Sequence, residues 1–342
     1  MRPIRTAILA GLGLVCGLAG LAAARAALAA EAVQPRRPDH TFSIVARDPA
    51  TGELGAAVQS HWFSVGSRVI WAEPGVGAVA TQSFTEPSYG PLGLDLMRAG
   101  KAAPDVLKAL IALDPLPEVR QVGMVDAAGN AAAHTGRKDI AEACHHVGDG
   151  YTVEANLMEK PTVCDAMVRA FESTKGDLAE RLMAALEAAQ AEGGDIRGRQ
   201  SAAMLVVSGA PQAVPWEGRI FDLRIEDHAT PVKELRRLLT LARAYRKMDE
   251  GDGLWAEGKV DEALAAYAAA EKMAPGNHEM IFWHAATLAA SGRVDESLDL
   301  FARAFALWPK WRELVPRLPA AGLLPDDPAL IARILAVGDK AP

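Results

Sequence analysis

The sequence predicts an α+β protein in which two stacked antiparallel sheets carry helices on their outer faces, followed by an all-α domain. The first observation is the order of its segments, which runs strands, helix pair, strands, helix pair, strands up to about residue 227. The second is a change to helix-forming residues beyond His228–Pro231, and the third is a repeat with a period of 34 residues in that region. The predicted domains are therefore 41–229 and 230–342.

The composition excludes several classes of protein. Half of the residues are hydrophobic (50%) and 23% are charged, as in ordinary globular proteins. The net charge of −7 leaves no basic stripe for a nucleic acid. Beyond the N-terminus, no apolar run is long enough to span a bilayer, so an integral membrane protein is not expected.

Residues 1–30 have the three parts of a secretory signal peptide. Two arginines come first, an apolar stretch occupies residues 7–24, and small residues follow around Ala27-Leu28-Ala29. We therefore expect a periplasmic or secreted protein, in which residues 31–40 form a short linker or propeptide.

Two cysteines remain after removal of that signal, Cys144 and Cys164. An oxidising compartment would permit a disulfide between them. Two small buried hydrophobic residues are the alternative, and the sequence leaves both interpretations open.

The mixed domain is predicted to begin with a pair of antiparallel strands. Thr41–Arg47 is a strand-like run, and Asp48–Gly52 has the proline and glycine of a hairpin turn, so the run should pair with residues 55–59. Further strands are expected at 67–72 and 77–80.

Helix pairs and strands then alternate. Proline in the first turn predicts both helices of the first pair, and Gly193–Gly194 ends the second pair. Ala202–Val207 is a continuous apolar run, typical of a strand buried on both faces, whereas Arg219–Ile225 alternates like an outer strand. The predicted bounds are helices 91–98 and 104–113, strands 119–126 and 131–134, helices 163–171 and 178–191, and strands 202–207 and 219–225.

The repeat near the C-terminus has the period of tetratricopeptide repeats. Gly258–Glu262 recurs as Gly292–Glu296, and Pro275 recurs as Pro309. The positions that join the two helices of such a repeat are small or aromatic in both copies: Ala263 and Ser297, Tyr267 and Phe301, Ala270 and Ala304. We therefore predict a tetratricopeptide-like domain, with flanking helices at 232–248 and 311–337.

Common catalytic and metal-binding motifs are missing. The sequence has no Gly-x-Ser-x-Gly, no phosphate loop, no His-Glu-x-x-His and no Cys-x-x-Cys. His145–His146 is the only histidine pair, and adjacent strand residues point to opposite faces. A solvent-exposed loop is the simpler interpretation of that pair, so we expect no metal and no cofactor.

Thr41 would combine two catalytic groups if it became the first residue of the chain. A free α-amine has a pKa of about 7.7–8.0 and can take the hydroxyl proton of the same residue. This chemistry requires a cut after His40, in addition to removal of the signal peptide. A strand that simply begins with threonine is the structural alternative.

Several segments together carry a resemblance to a known family. They are Thr41–Pro49, Gly55–Ser60, Gly75–Gln82, Tyr89–Gly93, Gly123–Asp126, Ala133–Gly136 and Gly194–Ala202. These segments resemble the bacterial domain of unknown function 1028 family, which is classed with the N-terminal-nucleophile hydrolases. The likeness covers 41 to about 227, and it implies a four-layer αββα fold, like that of a proteasome β-subunit, with Thr41 as the nucleophile.

The resemblance also implies partners for Thr41. Arg68 takes the place of a lysine on a following strand; it can supply positive charge but cannot release a proton near neutral pH, so the α-amine would be the only base. Gln59 and Ser60 align with a turn that holds an aspartate and a serine in proteasome-like members, and we assign them to substrate binding.

Three further residues are candidates by their positions. Asn156 follows the strand-like run 151–155 and could donate to an oxyanion, although a turn-forming asparagine is the simpler interpretation. Asp195 and Arg197 precede a buried strand and could orient a substrate, or form a structural ion pair.

The leading hypothesis is an exported amide hydrolase that is acylated at Thr41 and acts on a small-molecule or peptide amide. The rival is a catalytically inactive member of the same fold whose repeats recruit a peptide or protein partner, because repeat stacks present concave surfaces. Trp283, Trp308 and Trp311 are the candidate contacts for that partner. The sequence leaves the oligomeric state open, including a homo-oligomer.

Overall fold

The structure is a computed structural model that describes residues 41–338. The predicted signal peptide and the segment 31–40 lie outside the described residues. The chain forms two compact units that divide between Leu235 and Arg236.

The larger sheet of the first unit has six antiparallel strands. They are β1 (Thr41–Arg47), β2 (Leu54–Ser60), β7 (Cys144–Gly148), β8 (Tyr151–Ala155), β9 (Ser201–Val207) and β10 (Arg219–Ile225), in the order β10-β9-β2-β1-β8-β7. The predicted hairpin is confirmed: Asp48 Oδ1 accepts the Ala50 N–H at 2.8 Å, and Gly52 has a φ of 75°. β9 is buried along its whole length, and β10 is an edge strand, as their sequence patterns predict.

The smaller sheet has four antiparallel strands in chain order. They are β3 (Ile70–Glu73), β4 (Gly77–Ser83), β5 (Arg120–Asp126) and β6 (Ala131–Thr135). β3 begins three residues later than predicted because Val65–Ser67 forms a 3-10 turn, which Ser64 enters in the left-handed region. β4 continues three residues past its predicted end, to Ser83.

β7 and β8 fill the stretch between the predicted strand 131–134 and the helix pair that follows. The two strands pair with each other, and β8 also pairs with β1. His145–His146 therefore lies on the edge strand β7: both histidines are solvent-exposed as expected, but the predicted loop is wrong. The pair was hard to recognise as strand because its residues are mostly exposed, so no apolar alternation marks it.

Helices cover the outer face of each sheet. α1 (Tyr89–Arg98) and α2 (Ala103–Leu113) pack on the smaller sheet, and α3 (Val163–Ser173) and α4 (Leu178–Ala191) pack on the larger one. The buried faces are apolar. For example, Leu182 and Leu186 of α4 are fully buried. The Asp177 side chain caps the start of the same helix by accepting the Glu180 N–H at 2.8 Å.

The two sheets pack face to face around an apolar interior. Val45, Val58, Ala80 and Val125, from four different strands, belong to one buried cluster. Because side chains alternate along a strand, Thr41 and Ser43 face this interior together with Val45.

The second unit is helical. Its helices are α5 (Pro231–Ala256, which begins in the first unit), α6 (Val260–Met273), α7 (His278–Ala290), α8 (Val294–Leu307), α9 (Trp311–Leu314) and α10 (Pro328–Leu335). The three pairs of equivalent positions predicted from the repeat are all buried, with at most 2% of each residue exposed. In the described ranges, no helix is both long and apolar enough to cross a membrane.

One helix prediction in this unit is wrong. The expected helix 311–337 is broken into α9, two 3-10 turns and α10. Pro316 and Pro319 remove N–H donors from the helix ladder, and Gly322 turns the chain with a φ of 73°.

Candidate functional site

Buried polar side chains collect at one end of the two sheets, where β1 begins and β2 and β4 end. The antiparallel register places Thr41 opposite Ser60, and Gln82 opposite Gln121. Burying such groups is costly unless they are hydrogen-bonded, so their concentration at one end needs an explanation. The fully buried members include Thr41, Ser60, Gln82, Ser83, Gln121, Asn156 and Ser201.

Gln121 is the centre of a network of amide side chains. Its Oε1 accepts from Gln82 Nε2 and from Asn156 Nδ2, both at 2.8 Å. Its Nε2 donates to Thr135 Oγ1 and to the Ala155 carbonyl, both at 2.9 Å. The network joins the two sheets and fixes the orientation of each amide.

The backbone of Thr41 is held from both sheets. Its carbonyl accepts from the Asn156 N–H at 3.1 Å and from Gln82 Nε2 at 3.3 Å. The Gln82 Oε1 atom is buried and has no hydrogen-bond partner among the described residues. An acceptor therefore remains next to the start of β1.

Three residues near this end adopt left-handed backbone conformations without being glycine. Ser64 has a φ of 56°, Ser83 a φ of 69° and Leu157 a φ of 57°. Each follows or ends a strand that reaches the Thr41 end. Such conformations cost about 1 kcal/mol or more each and cluster at functional sites, so they favour a functional interpretation of this end.

One carboxyl group reaches the same end from a loop. Asp139 accepts from Ser83 Oγ at 2.7 Å and from the Gly136 N–H at 3.1 Å. Burial raises the pKa of Asp139, and these two hydrogen bonds oppose that rise only in part.

A second carboxyl group lies deeper between the sheets. Glu154 is fully buried and accepts from Ser43 Oγ at 3.1 Å, while its other oxygen has no hydrogen-bond partner among the residues that the structure describes. Burial raises the pKa of Glu154 to about 8, and nearby hydroxyl groups lower it by less. Gly123 lies opposite, where a Cβ atom would stand 2.0 Å from Glu154 Oε1.

The structure brings three of the predicted site residues together: Thr41, Ser60 and Asn156. Gln59 is not brought to the same face. It pairs with Phe42, so strand alternation directs its side chain to the helix-covered side of the sheet. Within residues 41–338, neither amide atom of Gln59 has a hydrogen-bond partner.

Arg68 lies just before β3 rather than on a strand. Its guanidinium carbon is 5.8 Å from the centroid of the Trp62 ring. The side chain is half-buried, and its guanidinium is within cation–π distance of that ring, which follows the end of β2.

Asp195 and Arg197 form an ion pair with each other. Arg197 Nη2 is 2.7 Å from Asp195 Oδ2, and Nε is 3.1 Å from Oδ1. Asp195 Oδ2 also accepts the N–H of His61, the residue after Ser60, at 3.2 Å. The structure thus supports the ion-pair alternative, which ties this loop to the end of β2.

Sequence reasoning missed Gln82 and Gln121 as site residues. Each is a polar residue near the end of an otherwise apolar strand, which is the signal that could have identified them. Among residues 41–338, no group of three or more His, Cys, Asp or Glu side chains is placed to hold a metal ion.

Residues 41–235 match the profile of a family of unknown function, DUF1028. The chain belongs to this family. The crystal structure of protein SPO2555 from Silicibacter pomeroyi, from the same family, is similar at 31% sequence identity with a TM-score of 0.53, over 59% of this chain and 86% of that chain. No curated protein matches the chain.

Proposed function

We propose that the DUF1028 domain is an exported amide hydrolase of the N-terminal-nucleophile type, with Thr41 as its nucleophile. The observation that carries the proposal is the buried amide network that holds the Thr41 carbonyl from both sheets. The helix-covered, face-to-face sheets are compatible with the αββα layers of that class. An apolar core would stabilise the same sheets without burying these amides, so their presence favours a chemical role.

The chemistry begins after removal of all residues before Thr41. The free α-amine takes the hydroxyl proton, and Oγ1 bonds to the carbonyl carbon of the substrate amide. The C–N bond then breaks, the leaving amine takes the proton from the α-ammonium, and an ester on Thr41 remains. Water hydrolyses that ester by the same proton path and restores the hydroxyl.

The surrounding residues receive roles in this scheme. We assign Gln82 Oε1 to accept a hydrogen bond from the α-ammonium, because it is the buried acceptor beside Thr41 without a partner. Asn156 is the proposed oxyanion donor, and Gln121 positions both amides. Arg68 supplies positive charge, which would favour a substrate carboxylate. We do not assign this role to Arg197, because Asp195 already neutralises its charge.

The first test is the N-terminus of the protein purified from its native compartment. Intact mass and N-terminal sequencing are expected to show a chain that begins at Thr41. A chain that begins near Glu31 would contradict the proposal, because a blocked Thr41 lacks its base.

The second test is covalent capture. A chain with a specific protease site before Thr41 is treated with an alkyl β-lactone before and after cleavage, and labelling is located by peptide mass spectrometry. We expect an ester on the Thr41 peptide only after cleavage, with capture retained in Thr41→Ser and lost in Thr41→Ala. Equal labelling of the uncleaved chain, or of the cleaved Thr41→Ala chain, would overturn the mechanism.

One observation favours the rival function, a catalytically inactive domain with tetratricopeptide-like repeats that recruit a partner. The helical unit contains a cavity of about 520 Å³, lined by residues of α5, α6 and α7. Of the three candidate tryptophans, Trp283 lines this cavity. The Trp311 ring stacks on the Phe282 ring in the core, with the two ring centroids 4.2 Å apart, and the Trp308 ring stacks on the His278 ring. Retention of residues 31–40 in the mature protein would favour this rival.

A further inference from the structure

The cavity of the helical unit combines aromatic and acidic side chains. Its aromatic residues are Tyr245 and Trp255 of α5, Tyr267 of α6 and Trp283 of α7. Its volume of about 520 Å³ falls in the ~300–1,000 Å³ range of ligand sites. Tyr245, 40% exposed, and Leu323, 47% exposed, line it and open it to solvent.

Three carboxylates line the same cavity: Asp249, Asp252 and Glu279. Among the described residues, none that lines the cavity is lysine, arginine or histidine. The lining therefore carries three formal negative charges beside aromatic faces, which attract cations through their quadrupoles. Charge complementarity selects a cationic occupant.

Two of these carboxylates are held in place by tyrosine hydroxyls of the cavity itself. Tyr267 Oη donates to Asp252 Oδ1 at 2.6 Å, and Tyr245 Oη donates to Glu279 Oε2 at 2.8 Å. Each bond uses one oxygen of its carboxylate and leaves the other oxygen for a ligand. Planar aromatic faces together with fixed carboxylates match a guanidinium group, which stacks and donates hydrogen bonds in its plane.

We propose that this cavity binds an arginine side chain of a basic peptide segment. The guanidinium lies against the Trp255 and Trp283 faces and donates to Asp252 and Glu279. The open mouth at Tyr245 and Leu323 contacts the residues that flank the arginine. The proposal does not depend on the hydrolase function of the first unit.

Isothermal titration calorimetry of the full chain at low salt tests this, with the peptide acetyl-GSRSG-amide as the probe. The matched ligand replaces arginine by citrulline, which keeps the shape and removes the charge. We expect the citrulline peptide to bind at least about tenfold more weakly than the arginine peptide, and added salt to weaken the binding of the arginine peptide. No binding of the arginine peptide, or equal binding of the two, would overturn the proposal.

The matched variants separate the site from a general charge effect. Asp252→Asn with Glu279→Gln keeps oxygen acceptors for both tyrosines and removes two charges, so the fold should persist by circular dichroism. We expect at least about a tenfold loss of affinity, and none in Asp326→Asn, an exposed aspartate outside this cavity. Unchanged affinity in the double variant would contradict the site. If acetyl-arginine amide binds as tightly as the peptide, the proposal that a peptide occupies the cavity is overturned.

Discussion

Glu154 is a buried residue whose ionisation is coupled to folding. It lies between the two sheets beneath the Thr41 end, with Ser43 as its hydrogen-bond donor and Gly123 leaving space for it. Burial disfavours the charged carboxylate, so the folded protein holds the proton to a pKa of about 8. The unfolded chain releases it near the ordinary value of 4.5.

This difference predicts a pH-dependent stability. The folded state binds the proton of Glu154 more tightly than the unfolded state does. The contribution of Glu154 to the free energy of unfolding is therefore complete below about pH 4.5 and is lost as the pH rises to about 8. The loss is at most about 5 kcal/mol, since one pKa unit corresponds to about 1.4 kcal/mol. Glu154→Gln should flatten the pH profile of the free energy of unfolding, measured by urea denaturation between pH 5 and 9.

Glu217→Gln, at an exposed position, is the control and should keep the wild-type slope. The pKa of Asp139 is also raised in the folded protein. In Glu154→Gln we therefore expect the free energy of unfolding to depend less steeply on pH, but not to become independent of pH. An unchanged slope in that variant would show that Glu154 is ionised in the folded protein throughout this range.

At the scale of elements, strand β7 depends on the disulfide between Cys144 and Cys164. In the part of the chain that the structure describes, β7 is an edge strand that pairs only with β8, and most of its residues are exposed. The disulfide joins it to α3 across a sequence separation of 20. The Cys144 carbonyl also accepts from Gln121 Nε2 at 3.1 Å, so this strand supports the amide network of the candidate site.

Replacing both cysteines with serine should destabilise the first unit. A crosslink that closes a loop of this length contributes about 3 kcal/mol by restricting the unfolded chain. Thermal unfolding should therefore occur at a lower temperature in the double variant. Wild-type protein treated with dithiothreitol should unfold at the same lower temperature, and a reduced protein as stable as the oxidised one would contradict the prediction.

At the scale of the whole molecule, the two candidate sites share no residue. The polar network at the Thr41 end is built from residues between 41 and 201, and the aromatic-acidic cavity from residues between 245 and 323. Sites without shared partners usually respond to mutation independently.

We therefore expect the two functions to separate by mutation. Thr41→Ala should leave the affinity for acetyl-GSRSG-amide unchanged, and Asp252→Asn with Glu279→Gln should leave β-lactone capture at Thr41 unchanged. The measurements are the titration and the labelling described above. A change of more than about threefold in either direction would show that the sites are energetically coupled.

Most of the helices and strands could be predicted from the amino-acid sequence, because the cues involved are local. The hairpin at Asp48–Gly52, the buried strand β9, the helices α2 and α4 and the equivalent buried positions of the 34-residue repeat all follow from turn residues, periodicity and caps. Where local cues were weak or opposed, the prediction was wrong. The exposed strand β7 lacks alternation, and prolines break the helix expected at 311–337.

Which residues share a site depends on the three-dimensional arrangement of the strands. The partners at the Thr41 end come from strands far apart in sequence, and a step of one residue along β2 separates Ser60 from Gln59 by a whole face of the sheet. The cysteine pair, the Asp195–Arg197 ion pair and the burial of Glu154 likewise depend on distances between segments. Residue type and spacing carry no information about those distances, because strand pairing and sheet packing set them.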